Sequence, residues 1–227
     1  MQPERALVIF DVDGTLVDSR RSILAAMAGA FAGAGRPLPP EPEVLGIVGL
    51  SLPQAMAALV PDAGRAEIDR LVHLYKESYI ALRRAGAGES AAPLFPGALD
   101  ALDRLQAGGH TLSIATGKAR RGLDHMLATH GLGGRFVATQ TADDAPSKPD
   151  PGMVLACLAA TGFPASAAIV VGDTAFDMGM ARAAGARAIG VSWGYHEPTR
   201  LMAAGAECVI GDFRALDAAL AGPGRAA

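Results

Sequence analysis

The sequence predicts an α/β fold: a parallel sheet covered by helices, with an all-helical insertion after its first strand. Residues 7–10 form a continuous apolar run rich in β-branched side chains, which is typical of a strand buried on both faces of a parallel sheet. Short apolar runs alternate with helical patterns in the second half of the chain. Between these two parts, only helical spacing is found.

The insertion has apolar residues at helical spacing and no strand character. Its predicted helices are Arg20–Ala34, Glu41–Val48, Pro53–Val60 and Arg65–Arg84. A stretch rich in glycine and alanine, residues 85–93, is predicted to lead back to the sheet. The sequence therefore predicts a core domain of residues 1–16 and 92–227 and a helical cap domain of residues 17–91.

Beyond the insertion, strand–helix alternation predicts right-handed crossovers, and the first strand joins the same sheet. The predicted strands are His110–Ala115, Phe136–Thr139, Ala168–Val171 and Ala188–Val191. The predicted helices are one from Pro96-Gly97 to about Ala107, then Lys118–His130, Pro151–Thr161 and Ala175–Ala184. Together these elements give a Rossmann-like parallel-sheet core.

Composition excludes several classes of function. Half of the 227 residues are hydrophobic and 19% are charged, which indicates a compact globular protein. The net charge of −3 and the absence of a basic cluster argue against nucleic acid or an anionic membrane as a partner. No signal segment and no run near the ~20 apolar residues of a membrane span are found, so we expect a cytoplasmic monomer or homodimer.

Two aspartates, Asp11 and Asp13, directly follow the first strand. Positions two apart in an extended chain point the same way, and Gly14 allows a sharp turn beyond them. Two neighbouring carboxylates are unfavourable unless a cation lies between them or one is protonated. The alternative interpretation, a solvated turn, would explain a single aspartate after an apolar strand better than it explains two. This strand end is therefore predicted to bind a ligand.

Two further candidate residues lie at a strand end and in a loop, and they carry a hydroxyl group and an ammonium group, respectively. Thr116 ends the second strand before Gly117 and a helix start, which suits a phosphate oxygen, although threonine is also a common helix cap. Lys148 lies between Ser147 and Pro149, and the proline restricts the backbone around it. A lone loop lysine is usually a surface residue, but a held one can pair with carboxylates and a phosphoryl group.

A last pair of acids, Asp173 and Asp177, follows the fourth strand one helical turn apart. An ordinary helix cap is the alternative interpretation. With Asp11 and Asp13, these acids and Lys148 would leave a site charge of about −3, which repels phosphate. Mg²⁺ prefers carboxylates, waters and a phosphate oxygen, so we predict Mg²⁺ as the cofactor that makes anion binding possible.

Four motifs, FDVDGTLVDS, SIATGK, SKPDP and GDTAFDM, occur in this order, with the helical segment after the first. In this they resemble the haloacid dehalogenase superfamily over nearly the whole chain. The position of the helical segment resembles that of the phosphoglycolate phosphatase-like subgroup. The second acid of the first motif, Asp13, is usually missing in true dehalogenases and favours phosphate chemistry.

The resemblance implies a role for each motif residue. Asp11 would be the nucleophile and Asp13 the general acid/base, while Thr116 and Lys148 would hold the phosphoryl oxygens. The implied catalytic set is thus Asp11, Asp13, Thr116 and Lys148, with substrate binding by Thr116, Gly117 and Lys148. Mg²⁺ would be bound by Asp11, Asp13 (through its backbone carbonyl) and Asp173, with Asp177 in support.

These observations predict a Mg²⁺-dependent phosphatase that hydrolyses a small phosphorylated metabolite through an aspartyl phosphate. Phosphoglycolate is the first candidate substrate, although Gly117 stands where phosphoglycolate phosphatases often have asparagine. A pyrophosphatase, a sugar-phosphate phosphatase or mutase, and a catalytically silent phosphate-binding scaffold are the alternatives. The loop Gly49-Leu50-Ser51 and Arg83 or Arg84 are candidate readers of the leaving group.

Overall fold

The computed structural model describes residues 5–85 and 92–222. Its centre is a six-stranded, wholly parallel sheet with the strand order β3-β2-β1-β4-β5-β6. The strands are β1 (Leu7–Phe10), β2 (Thr111–Ala115), β3 (Ala138–Gln140), β4 (Ala168–Gly172), β5 (Arg187–Val191) and β6 (Cys208–Ile210). The predicted α/β class with a parallel, Rossmann-like core is confirmed.

Ten α-helices are found in the described part of the chain. Those between β1 and β2 are α1 (Arg20–Ala34), α2 (Glu41–Gly46), α3 (Leu52–Leu59), α4 (Arg65–Arg84) and α5 (Ala98–Ala107). Those after β2 are α6 (Arg120–Thr129), α7 (Gly152–Thr161), α8 (Ala175–Ala183), α9 (Pro198–Ala204) and α10 (Leu216–Ala221). No helix in these described ranges is both long and apolar enough to cross a membrane.

Side-chain alternation along the strands builds two hydrophobic cores, one on each face of the sheet. In β1, Val8 and Phe10 join a core with α5, α6 and α10. Leu7 and Ile9 join a second core with α7, α8 and α9 on the opposite face. All four side chains are fully buried, which explains the uninterrupted apolar run of this strand.

Helices α1 to α4, here called the insert (residues 20–84), have a third core of their own. It includes Ile23, Met27 and Phe31 of α1, Met56 of α3 and Leu71 of α4. The predicted return segment falls largely on residues 86–91, which lie outside the described residues. The division into residues 1–16 and 92–227 against 17–91 therefore stays a prediction.

Helix α6 begins two residues later than predicted, at Arg120 rather than Lys118. The backbone N–H of Arg120 donates to the Asp143 carboxylate at 2.7 Å, and this contact fixes the start of the helix. Ala119 is extended, with φ −69° and ψ 151°. Lys118 consequently lies in the loop after β2, where its side chain is available to the site described next.

Candidate active site

The carboxyl ends of the three central strands bring the first acid of the FDVDG motif together with residues of the other motifs. Asp11 follows β1, Thr116 follows β2, and Asp173 follows β4, and these strands are neighbours in the order β2-β1-β4. The Asp11 N–H donates to the Val171 carbonyl at 2.9 Å, which extends the pairing of β1 with β4 to the aspartate itself. The predicted location at this edge of the sheet agrees with the binding edge of open α/β folds.

Lys148 forms the buried centre of the site, because its side chain and those of Asp11 and Asp177 are almost wholly inaccessible. Its Nζ atom lies 2.8 Å from Asp11 Oδ1 and donates a hydrogen bond to Asp177 Oδ1 at 2.6 Å. Burial alone would lower the pKa of Lys148, but the two carboxylates raise it above its ordinary value. The lysine is therefore a held cation and not a surface residue.

Burial raises the pKa of Asp11 to about 6, although Lys148 acts in the opposite direction. Neither carboxylate oxygen of Asp11 accepts a hydrogen bond of regular geometry within the described residues. A buried carboxylate without hydrogen bonds is unfavourable unless another group binds it. Asp11 is thus the member of this buried network whose carboxylate oxygens are left to bind a ligand.

Asp173 and Asp177 are fixed by hydrogen bonds from neighbouring loops. Asp173 accepts from the Thr15 hydroxyl and from the Tyr195 backbone N–H, both at 2.9 Å. Burial raises the pKa of Asp173 well above its ordinary value, and Asp11 and Asp177 add to the effect. The second oxygen of Asp177 accepts from the Thr174 N–H and hydroxyl, in a reciprocal cap at the start of α8.

The residues present fit a divalent cation. Asp11, Asp173 and Asp177 each offer a carboxylate oxygen, and these oxygens lie within 4.8 Å of one another. Lys148 forms ion pairs with two of these three carboxylates, those of Asp11 and Asp177, so one ammonium does not fully compensate the negative charge of the cluster. An all-oxygen donor set of this charge suits Mg²⁺. The cluster contains the carboxylate of Asp177, and the Asp13 carboxylate lies outside it.

Asp13 is paired with a lysine that the sequence analysis did not single out. Lys118 Nζ donates to both carboxylate oxygens of Asp13 at 2.9 Å and lies 5.9 Å from the ring centre of Tyr79 in α4. The count of one ammonium against four aspartates is therefore wrong, since Lys118 is a second cation. Its signal was present as the last residue of the SIATGK motif, but it was assigned to a helix.

Gly117 lies directly beneath the loop between α2 and α3. A Cβ atom at this position would lie 2.5 Å from the Gly49 carbonyl oxygen and 2.7 Å from that of Leu50. Thr116, which precedes it, is buried and accepts a hydrogen bond from the Lys118 N–H at 3.3 Å. The absence of a side chain at Gly117 therefore lets the insert approach the floor of the site.

Two hydrogen bonds join the insert to the core around this contact. The Ser51 N–H donates to the Ser147 hydroxyl at 2.7 Å, next to Lys148. His196 Nδ1 accepts from the Ala175 N–H at 2.9 Å, which leaves Nε2 as the donor to the Gly46 carbonyl at 3.0 Å. Burial lowers the pKa of His196, in agreement with this neutral tautomer.

A cavity of about 530 Å³ lies between the insert and the core. Asp11, Asp13, Thr116 and Gly117 form part of its lining on the core side. Of the candidate readers in the insert, Gly49, Leu50, Ser51 and Arg83 line it, while Arg84 is exposed outside it. Lys148, Asp173 and Asp177 lie behind this surface, in agreement with their complete burial.

The segment after β5 packs beside the site and does not line the cavity. Trp193 contacts Phe95 and Phe213, and its indole N–H donates to the Thr15 carbonyl at 3.1 Å. The Tyr195 hydroxyl lies 3.1 Å from the Ser19 hydroxyl. Trp193 and Tyr195 therefore pack against neighbouring segments beside the site.

The match to a family model establishes the class of protein. Residues 8–191 match the model described as haloacid dehalogenase-like hydrolase, and the chain belongs to this family of hydrolytic enzymes. The expected family and the haloacid dehalogenase-like fold are thus confirmed.

Individual relatives cover almost the same span. The chain is 32% identical to a probable phosphatase, IndB, of Dickeya dadantii, over 92% of this chain and 90% of the relative. It is 31% identical to a phosphoglycolate phosphatase of Agrobacterium fabrum, over 96% and 94% of the two chains. Among solved structures, a hydrolase from Pseudomonas syringae superposes with a TM-score of 0.84 at 26% identity, over 95% of this chain and 98% of that one.

Proposed function

We propose that this enzyme is a Mg²⁺-dependent phosphatase that hydrolyses a small organic phosphate monoester through an aspartyl phosphate. The observation that carries the proposal is Asp11: a buried carboxylate without regular hydrogen bonds, beside a buried lysine and on the wall of a cavity. The names of two relatives, a probable phosphatase and a phosphoglycolate phosphatase, support the reaction class.

Asp11, Asp173 and the backbone carbonyl of Asp13 would hold the metal ion, with Asp177 positioning Lys148 beside it. When bound, Mg²⁺ would offset the charge of the carboxylates and of the substrate dianion. Thr116 and Lys148 would bind phosphoryl oxygens through the hydroxyl and the ammonium, and Gly117 would offer its backbone N–H. In this scheme Lys148 remains charged throughout, because Asp177 holds it from the other side.

In the first step, a carboxylate oxygen of Asp11 attacks phosphorus, and the bond from phosphorus to the ester oxygen breaks. Asp13 supplies the proton that the leaving alkoxide takes up. In the structure the Asp13 carboxylate is bound by Lys118. Asp13 therefore has to release this lysine and take up a proton from solvent before it can donate that proton to the ester oxygen.

In the second step, Asp13 accepts a proton from a water molecule, and the resulting hydroxide attacks the phosphorus of the aspartyl phosphate. The bond between phosphorus and Asp11 breaks, which releases inorganic phosphate and restores the carboxylate. The proposed cap domain of residues 17–91, which contains the insert, excludes bulk water from the first step. Its closed position is supported by the contacts of Gly49 with Gly117 and of Ser51 with Ser147.

Phosphoglycolate is the first natural substrate to test, because relatives that the chain covers almost completely carry that name. The general test uses p-nitrophenyl phosphate with Mg²⁺ and with EDTA, for the wild type and for Asp11→Asn. We expect Mg²⁺-dependent turnover in the wild type, none in Asp11→Asn, and normal turnover in Asp69→Asn, an exposed aspartate on α4. Acid-quenched wild type should carry one acid-stable phosphoryl group by intact mass.

Turnover by a sequence-verified Asp11→Asn protein would refute the assignment of the nucleophile. Phosphate binding without any turnover in the wild type would favour the silent scaffold instead. These outcomes differ from each other and from a change of substrate preference, in which turnover persists with another ester.

A further inference from the structure

We infer that the preferred substrate of the proposed phosphatase carries its phosphate on an apolar, ring-sized alcohol larger than glycolate. This inference rests on the proposed function and specifies its substrate class. It follows from the volume of the cavity, from the side chains of its wall and from the position of its charged groups.

The two sides of the cavity differ in chemistry. The core side presents the reacting groups, with Asp11, Asp13 and Thr116 at the strand ends. The insert side is formed mainly by apolar and aromatic side chains of α1, of α4 and of the loop after α2. The principal wall residues are Ile23, Met27, Ile47, Tyr75, Tyr79 and Ile80.

The volume exceeds what phosphoglycolate fills. At the ~30 Å³ that liquid water occupies per non-hydrogen atom, the nine such atoms of phosphoglycolate take roughly 270 Å³. The cavity holds about 530 Å³, so about half would remain. A monoester with a six-membered ring on its leaving alcohol would occupy more of this space, since the twelve non-hydrogen atoms of cyclohexylmethyl phosphate take roughly 360 Å³ by the same measure.

The wall also disfavours a polar leaving group. A carboxylate or hydroxyl placed against Ile23, Met27 or Ile47 would lose its hydration without gaining a hydrogen bond from these side chains. The cation nearest the acids, Lys118, is already bound to both oxygens of Asp13. Three further cations border the cavity: Lys76 and Arg121 are exposed to solvent, and Arg83, in the last turn of α4, is half-buried.

The loop between α2 and α3 lies too close to Gly117 for a ligand to fit between them and so avoid the apolar side chains of the insert. The carbonyl oxygens of Gly49 and Leu50 already occupy the position next to this glycine. In this proposal a leaving group attached to a phosphorus near Asp11 extends toward the part of the lining that α1 and α4 form. In that direction it meets the aromatic pair Tyr75 and Tyr79, whose ring centres are 5.8 Å apart.

The test compares four monoesters of primary alcohols, so that the leaving oxygen is chemically similar in each. These are ethyl phosphate, phosphoglycolate, glucose 6-phosphate and cyclohexylmethyl phosphate. The last two match in ring size and differ in polarity. Burying about 100 Å² of apolar ring surface at ~25 cal/mol per Å² corresponds to a roughly 60-fold gain in kcat/KM over ethyl phosphate.

We expect cyclohexylmethyl phosphate to have the highest kcat/KM of the four, at least tenfold above phosphoglycolate and glucose 6-phosphate. An equal or higher value for either polar ester overturns the inference and leaves the phosphatase proposal intact. If none of the four esters and no p-nitrophenyl phosphate is hydrolysed with Mg²⁺, the proposed function itself fails, and the inference fails with it.

A pair of variants ties the preference to the wall. Ile47→Asn places an amide on the cavity surface, whereas Leu59→Asn makes the same change on a half-buried residue of α3 outside the cavity. The measured quantity is the ratio of kcat/KM for cyclohexylmethyl phosphate to that for ethyl phosphate. We expect about a tenfold lower ratio in Ile47→Asn, through KM, and an unchanged ratio in Leu59→Asn. Equal ratios in both variants would overturn the assignment of the wall.

Discussion

Replacing Asp11 by asparagine should abolish turnover and, without metal, make the protein more stable. The ordinary pKa of this side chain is 3.8, and burial raises it to about 6 in the folded protein. Keeping Asp11 ionised at pH 7 therefore costs the fold about 3 kcal/mol, at ~1.4 kcal/mol per pKa unit. Asparagine removes this cost, and its amide oxygen can lie beside the Lys148 ammonium, as Asp11 Oδ1 does at 2.8 Å. The pKa of Asp173 should also fall, because Asp11 contributes to raising it.

The sign of the pH dependence follows from the same shift. Because the folded-state pKa of Asp11 is above its unfolded value, the folded protein binds this proton more tightly. The free energy of unfolding contributed by Asp11 is therefore largest at low pH and is lost as the pH rises through about 6. The advantage of Asp11→Asn should be about 3 kcal/mol at pH 7 and about half of that at pH 5.

Urea unfolding in EDTA at pH 5, 6, 7 and 8 measures this difference, with thermal melting as a second readout. For a chain of this size, about 3 kcal/mol corresponds to a Tm increase of roughly 6–12 °C. Asp69→Asn is the control, since its exposed pair with Arg65 should change stability by less than about 0.5 kcal/mol. Saturating Mg²⁺ should stabilise the wild type more than Asp11→Asn and so narrow the gap. A gap that is absent at pH 7, or that does not change with pH, would refute the reasoning.

Three further substitutions test other contacts of the site. Gly117→Ala would place a Cβ atom 2.5 Å from the Gly49 carbonyl oxygen and should lower kcat/KM at least tenfold by displacing the insert loop. The control Gly133→Ala meets nothing within 4 Å and should leave kcat/KM unchanged, so equal kcat/KM values for the two variants would contradict this contact. Lys148→Met leaves two buried carboxylates unpaired and should reduce the free energy of unfolding in EDTA by about 3–5 kcal/mol, and a loss below 1 kcal/mol would show that the pairing is weak. Lys118→Met removes the cation at the cavity wall and should raise KM for p-nitrophenyl phosphate about tenfold; an unchanged KM would exclude Lys118 from substrate attraction.

Five of the six strands and the alternation of elements up to β5 could be predicted from sequence because their signals are local, whereas the three-residue strand β6 (Cys208–Ile210) was not predicted. The run from Leu7 to Phe10 is apolar at every position since both faces of β1 are covered. The helices of the insert likewise follow from apolar spacing, and α1 and α4 have the predicted bounds. Motif residues at strand ends could be placed at one sheet edge because parallel strands share that edge.

The remaining features depend on contacts between distant segments. The start of α6 is set by Asp143, which is 23 residues beyond Arg120, so the loop position of Lys118 has no local signal. The Tyr195 group that binds Asp173 is a backbone N–H, which every residue except proline carries. The position of Gly49 above Gly117 depends on how the insert meets the core, and neither glycine predicts the other.

The contact between Gly49 and Gly117 limits how this enzyme can be recombined with its relatives. Consider a helical segment transplanted from a relative that has asparagine at the position of Gly117. Its loop would be adapted to contact that asparagine side chain, and in this chain it would find only the backbone of Gly117. Conversely, a relative's sheet with that asparagine would collide with the Gly49 and Leu50 carbonyls of this chain. Chimeras should therefore be built with the loop and position 117 exchanged together, so that the two halves of the contact keep a common origin.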